Sequence, residues 1–188
     1  MAETVIDVHI HVGGPGGAKD DDQSGCAWSE DFENTEAFVA FMLSSGTSYE
    51  RLTQSHIRKK VLKTIGTSGV DLGVLLALDC VHDLEGRPHG VADDPKVRSH
   101  LVTPNRYVAR LSGENPDRAL FGCSIHPYRE PNDLKRELEE CLAGGAVLCK
   151  WIPSAQMIDP AHEKCRALYD LLRDNRIPLL VHTGPEPS

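Results

Sequence analysis

Thr4-Val5-Ile6-Asp7-Val8-His9-Ile10-His11-Val12 decides how this chain reads. It is rich in Val and Ile and free of Gly and Pro, which is the composition of a strand. The following Gly13-Gly14-Pro15-Gly16-Gly17 ends it. Four more runs of the same character follow, at 70–79, 119–126, 146–152 and 177–182. Most are apolar almost throughout, as strands covered on both faces are.

Amphipathic segments separate these runs, and their ends are punctuated. Asn34 can cap a helix over 34–43, and Ser48 one over 48–65. Thr103-Pro104 opens one that stops near Gly113, Pro131 opens 131–143 before Gly144-Gly145, and Asp159-Pro160 opens 160–175. Strands alternating with helices predict βα units, hence an α/β chain with a parallel sheet, read here as one domain over 1–188. Residues 13–33 form a long loop after the first strand. It is either a flexible surface loop or a cover over a site at the strand's carboxyl end.

Composition narrows the function. The 188 residues carry 20 Lys and Arg against 28 Asp and Glu, a formal charge of −8. That balance disfavours a nucleic-acid partner, which needs a clustered cationic face. No run has the length of a membrane span, and the N-terminal residues lack signal-peptide character, so a cytoplasmic chain without a membrane partner is expected. The six cysteines include no C-x-x-C pair and read as reduced, mostly structural thiols.

The polar residues are placed by a rule. Each strand-like run closes on polar or ionisable groups: His9 and His11, Asp79, His126, Lys150, and His182. In parallel α/β proteins that edge binds ligands. Residues i and i+2 of a strand share a face, so His9 and His11 can converge on one ion, with Asp7 one step deeper as an orienting acceptor. Lys150 ends a buried strand and must be solvated, paired or neutralised. Either its ammonium binds a substrate carboxylate or pairs with an aspartate, or it reacts with CO₂ to a carbamate that bridges two metals. Asp79 and His126 are further catalytic candidates. Arg129 is a candidate grip for an anionic substrate or else a surface arginine. Trp151 is a candidate substrate contact, although packing between strand and helix suits it better. His56, His89, His100 and His162 fall away from strand ends and read as non-functional.

At these residues the chain resembles the amidohydrolase superfamily of metal-dependent TIM barrels, in particular the branch that includes aminocarboxymuconate-semialdehyde decarboxylase. The resemblance rests on Ile6-Asp7-Val8-His9-Ile10-His11, on Phe121 to Pro127, on Lys150 to Gln156 with Ile158-Asp159-Pro160, and on Leu180-Val181-His182-Thr183-Gly184. It implies a (β/α)8 barrel of which about five units are present, with His9, His11 and His182 as ligands of Zn²⁺ or another divalent metal, one ion or two. Lys150 takes the fourth-strand position, a carbamate in binuclear members and a plain lysine in many mononuclear ones. The family's sixth-strand histidine and eighth-strand aspartate have no counterpart in the sequence, so the chain is expected to be the N-terminal part of a longer product.

The activity implied is a metal-dependent hydrolysis of an amide, ester or lactone bond in a small molecule. A bound ion lowers the pKa of its water towards neutrality and polarises the carbonyl. Non-oxidative decarboxylation on the same scaffold is the alternative. A TatD-like phosphoesterase is a weaker rival, because that group carries a glutamate where this chain has Lys150. A catalytically incomplete fragment is another, and homo-oligomerisation is compatible with either.

Overall fold

The computed structural model describes residues 3–184. In chain order the elements are β1 (Ile6–His11), β2 (Ala27–Trp28), α1 (Glu36–Ser45), α2 (Gln54–Ile65), β3 (Leu72–Leu76), β4 (Val81–His82), β5 (Pro88–His89), β6 (Leu101–Val102), α3 (Asn105–Glu114), β7 (Ala119–Cys123), α4 (Pro131–Ala143), β8 (Ala146–Trp151), α5 (Pro153–Gln156), α6 (Cys165–Asp174) and β9 (Leu179–Val181). The five strands expected from the sequence form one parallel sheet in the order β1-β3-β7-β8-β9. Each strand adds beside its predecessor, which is the progression of a barrel wall. The sheet curls into a partial barrel with the helices outside.

Alternation along the strands sorts the core. Leu75, Phe121, Cys123 and Cys149 point outward and pack with Leu134 and Leu138 of α4 and Leu168 and Leu172 of α6. Val74, Leu76 and Leu148 point inward and make a second, smaller cluster with Leu120 and Leu180. Gly122 is required on that inner face, because a Cβ there would stand 2.7 Å from Leu76 Cδ2 and about as close to Val74 and Leu148.

Several boundaries move from their expected places, each for a local reason. The helix expected over 48–65 is broken. Thr53 takes the cap and accepts the His56 N–H, while Leu52 is drawn completely into an apolar cluster. Thr35, not Asn34, caps α1. Thr103 is held by paired backbone bonds to Leu78, so α3 begins after Pro104. Asp159 starts a turn through its carboxylate and carbonyl, which delays α6 to Cys165. The hairpin of β4 with β5 and the pairing of β2 with β6 had no period-two signal to show them, each strand being two residues long.

The loop over 13–33 is an ordered structure. The Asp20 carboxylate accepts the N–H groups of Ser24 and Gly25, and Asp21 accepts that of Ser55 in the first turn of α2. Asp22 pairs with Arg58 at 3.1 Å and accepts the Tyr107 hydroxyl. The acidic triplet therefore ties the loop to α2 and α3. Beyond it, Trp28 packs against Phe32, Phe38, Phe41 and Tyr49, closing a small aromatic core beside the carboxyl end of β1. Asp22→Ala is expected to speed native-state proteolysis within 13–33 while far-ultraviolet circular dichroism stays unchanged; an unaltered cleavage rate would mean that the Asp22 contacts do not hold the loop.

Candidate metal centre

The polar strand ends divide into two groups that do different things. The first lies at the ends of β3, β7 and β8 and bonds to itself. Arg129 grips Asp79 through two nitrogens, at 2.7 and 2.8 Å, and reaches Asp133 at 2.6 Å. The same Asp79 carboxylate accepts the His126 N–H. Burial alone would push the Asp79 carboxyl up, but the guanidinium and these donors outweigh it and hold the group below the ordinary carboxylate range.

His126 is fully buried and satisfied at both ring nitrogens. Its Nε2 donates to the Gln156 carbonyl at 2.8 Å, and its Nδ1 accepts the Tyr128 N–H. Burial lowers its pKa to about 4. Trp151 is also fully buried, donates its Nε1–H to the Ile125 carbonyl and packs against Tyr169. Asp79, His126, Arg129 and Trp151, expected as catalytic or substrate groups, thus have their polar atoms committed within the protein.

Gln156, the last residue of the Lys150 to Gln156 stretch, completes this knot. Its Oε1 accepts the Ile152 N–H, and its Nε2 donates to the Asp79 carbonyl and to Ser124 Oγ. Ser124 Oγ in turn donates to the Lys150 carbonyl. The ends of three strands are thereby fixed to one another.

Among the described residues, Asp79, Cys80 and His82 are the group of three whose potential ligand atoms lie within 4.8 Å of one another. The set does not suit a divalent cation. Both Asp79 oxygens are taken by Arg129, whose charge opposes a second cation, and burial with the Asp79 charge pushes the Cys80 thiol up to about 12. A cleft of about 320 Å³ on the helix side, lined in part by Arg129 and Glu137, includes none of His9, His11, Lys150 or His182.

Those four residues form the second group, on β1, β8 and just after β9. His9 Nε2 and His11 Nε2 stand 3.1 Å apart, with ring centroids 5.0 Å apart. Two imidazole nitrogens on one tetrahedral Zn²⁺, each about 2.05 Å from it, stand about 3.3 Å apart. The pair therefore fits a shared metal ion. Surrounding protein atoms, then the charges of Lys150 and His182, lower the His9 pKa. His11 falls to about 4 through the same crowding, then His9, Lys150 and His182. Both rings are neutral at pH 7, the form that ligates.

Lys150 is almost completely buried. That Lys150 and His182 act on both β1 histidines places them around the same concave space, although β1 and β9 are opposite ends of the sheet order. The His182 backbone is anchored by its N–H to the Trp151 carbonyl. Its ligand atoms do not come within 4.8 Å of those of both His9 and His11, so the expected three-histidine set is not closed.

The expected role of Asp7 also changes. Asp7 pairs with Gly73 and Ile10 with Leu75, so Val8 and His9 together oppose Val74. This bulge breaks the alternation, and the Asp7 carboxylate accepts the His9 backbone N–H rather than a ring proton.

No protein-family model and no curated relative matches the sequence. Solved structures share its fold. An uncharacterised TIM-barrel protein from Bordetella bronchiseptica is similar over 97% of this chain and 56% of its own, with 14% identity and a TM-score of 0.60. A 4-oxalomesaconate hydratase from Rhodopseudomonas palustris matches over 96% and 52%, with 20% identity and a TM-score of 0.54. A 5-carboxyvanillate decarboxylase from Novosphingobium aromaticivorans, solved with bound manganese, matches over 98% and 52%, with 14% identity and a TM-score of 0.54. The chain has the TIM-barrel fold and spans about half the length of these structures.

Two predictions test the structural group. Arg129→Met leaves a buried carboxylate unpaired and is expected to cost about 3–5 kcal/mol in urea unfolding, against a smaller loss for the Asp79→Asn, Arg129→Met double variant. Equal losses would show the pair to be solvated. The second uses pH. His126 has a lowered pKa when folded and an ordinary one, 6.5, when unfolded, so the unfolded chain takes up the proton first. Stability is fully present above 6.5 and falls as pH drops towards 4, by up to about 3 kcal/mol from this group. His126→Gln should flatten the stability profile in that window, and an unchanged slope would remove His126 as its source.

Proposed function

We propose that the chain is part of a metal-dependent enzyme of the amidohydrolase superfamily, one that hydrolyses an amide, ester or lactone bond in a small molecule. The observation that carries this reading is the His9–His11 pair, two neutral imidazoles with Nε2 atoms 3.1 Å apart at the ligand-binding edge of a parallel sheet. Amidohydrolases are among the solved structures with this fold, and the sequence motifs lead to the same superfamily. The manganese in the decarboxylase structure is consistent with a divalent ion at such a rim.

In this reading His9 and His11 hold the ion, and His182 supplies a further imidazole from the far side of the concave space. When bound, a divalent ion activates water and polarises a carbonyl. The chain's own residues set the conditions. The two β1 rings are kept unprotonated, so at neutral pH no proton has to leave before they ligate. The apolar inner cluster of Val74, Leu76 and Leu148 lies on the same inner face as this rim. Lys150, in the wall between, offers its ammonium to an anionic group of the substrate. Its carbonyl, fixed by Ser124, holds the strand end from which it projects.

Metal content decides the matter first. The purified chain, dialysed with Zn²⁺ or Mn²⁺ and analysed by mass spectrometry, is expected to retain close to one ion per chain. His11→Ala should lose it while keeping its circular dichroism spectrum. Lys150→Ala should retain one ion if the lysine acts as an ammonium, whereas a fall from two ions to one would assign it as a carbamate. Retention of metal by His11→Ala would refute the centre. Carbon dioxide release from an aromatic carboxylate, without ester or lactone hydrolysis, would move the reaction to decarboxylation.

A further inference from the structure

Residues i and i+2 lie about 6.6 Å apart along a strand with their side chains on one face, where two imidazole rings can lean together. In β1 the rings meet at 3.1 Å between nitrogens. Which face they share is set by a bulge. Three steps on β1, from Asp7 to Ile10, match two on β3, from Gly73 to Leu75, so one residue is extra. Past the bulge, His11 pairs with Leu76, which belongs to the inner cluster. Before it, Asp7 pairs with Gly73, whose Cβ position faces Ile10 and Ile65 on the helix side. The bulge thus changes which face the strand presents between Asp7 and His11.

A bulge takes a residue out of the hydrogen-bond ladder, and its N–H needs another acceptor. Here the His9 N–H finds one in Asp7 Oδ1, at 2.9 Å, two residues back. β1 pairs only with β3 among the described strands, and Ile6 and Val8 are 45% and 48% exposed, so packing does little to hold the distortion. We infer that Asp7 is a positioning residue: its carboxylate, by capping the His9 N–H, maintains the bulge that turns His9 and His11 together onto the inner face. It acts through the backbone and not as a ligand or an acceptor for an imidazole. The inference rests on the metal reading of His9 and His11 and adds to it the element that sets the face they share.

The test uses Zn²⁺ titration by calorimetry of the full chain and of Asp7→Ala and Asp7→Asn, with His9 amide hydrogen exchange measured on the metal-free proteins. Asp7→Ala is expected to weaken Zn²⁺ binding about tenfold or more, the range in which loss of a residue that orients ligands falls, and to lose protection at the His9 amide. Asp7→Asn keeps an acceptor oxygen at the same place, and should restore both to near the wild-type values. If Asp7→Ala binds like the wild type, the inference is overturned while the centre stands. An Asp7→Asn variant as weak as Asp7→Ala would equally overturn it, because the charge and not the hydrogen bond would then be what matters. If the wild type itself binds no Zn²⁺ while His9 remains protected, the metal reading fails and the inference fails with it.

Discussion

The pairing of Asp79 with Arg129 is the interaction on which the carboxyl edge of the sheet depends. Taking a carboxylate and a guanidinium out of water costs several kcal/mol per ion, and good geometry with further hydrogen bonds is what offsets it. Both conditions are met. Two guanidinium nitrogens reach the carboxylate, the His126 N–H adds a third donor, and Asp133 shares the guanidinium. With the charges balanced, His126, Gln156, Ser124 and Trp151 can be buried around them without an unsatisfied ring or amide. The ends of β3, β7 and β8 are then a single rigid unit, and Lys150 projects from its rim.

That rigidity explains why the strand ends are not equivalent. A parallel sheet delivers every carboxyl end to one edge, but nothing obliges each polar end to face a ligand. In the middle of this sheet they face one another and make the edge dry and fixed. At its two ends, β1 and β9, they lie towards the concave side, where the charge of His182 bears on His9 and His11. A stable wall with histidines on both flanks follows from where the compensating charges sit.

The fold was legible in the sequence because its signal is local. Five apolar runs bounded by capping residues and glycines became the five strands of the sheet, and 131–143 became α4 at the expected bounds. The aromatic core around Trp28 was not legible, since its members come from a loop, a helix and a turn with no shared period. The H-x-H pair was visible as a metal candidate because i, i+2 spacing is itself a geometric statement. Asp79, His126 and Arg129 were visible only as polar residues in suggestive places. Whether such a residue meets a substrate or a buried partner depends on which loops fold back, and Arg129 lies 50 residues from the aspartate it neutralises.

The bulge in β1 belongs to the same class of hidden feature. Asp7, His9 and His11 at strict alternation describe three side chains on one face, and a sequence pattern carries no mark of one extra residue. The register with β3 reveals it, and with it the reason that Asp7 bonds to a backbone N–H. A histidine pair on an outer strand of the sheet cannot borrow rigidity from neighbours on both sides, as Lys150 does between β7 and β9. Its geometry has to be set from within the strand. A short side chain that bonds two residues ahead on its own backbone does this at little conformational cost, which is the property that makes aspartate common in turns and caps and uncommon in regular strands.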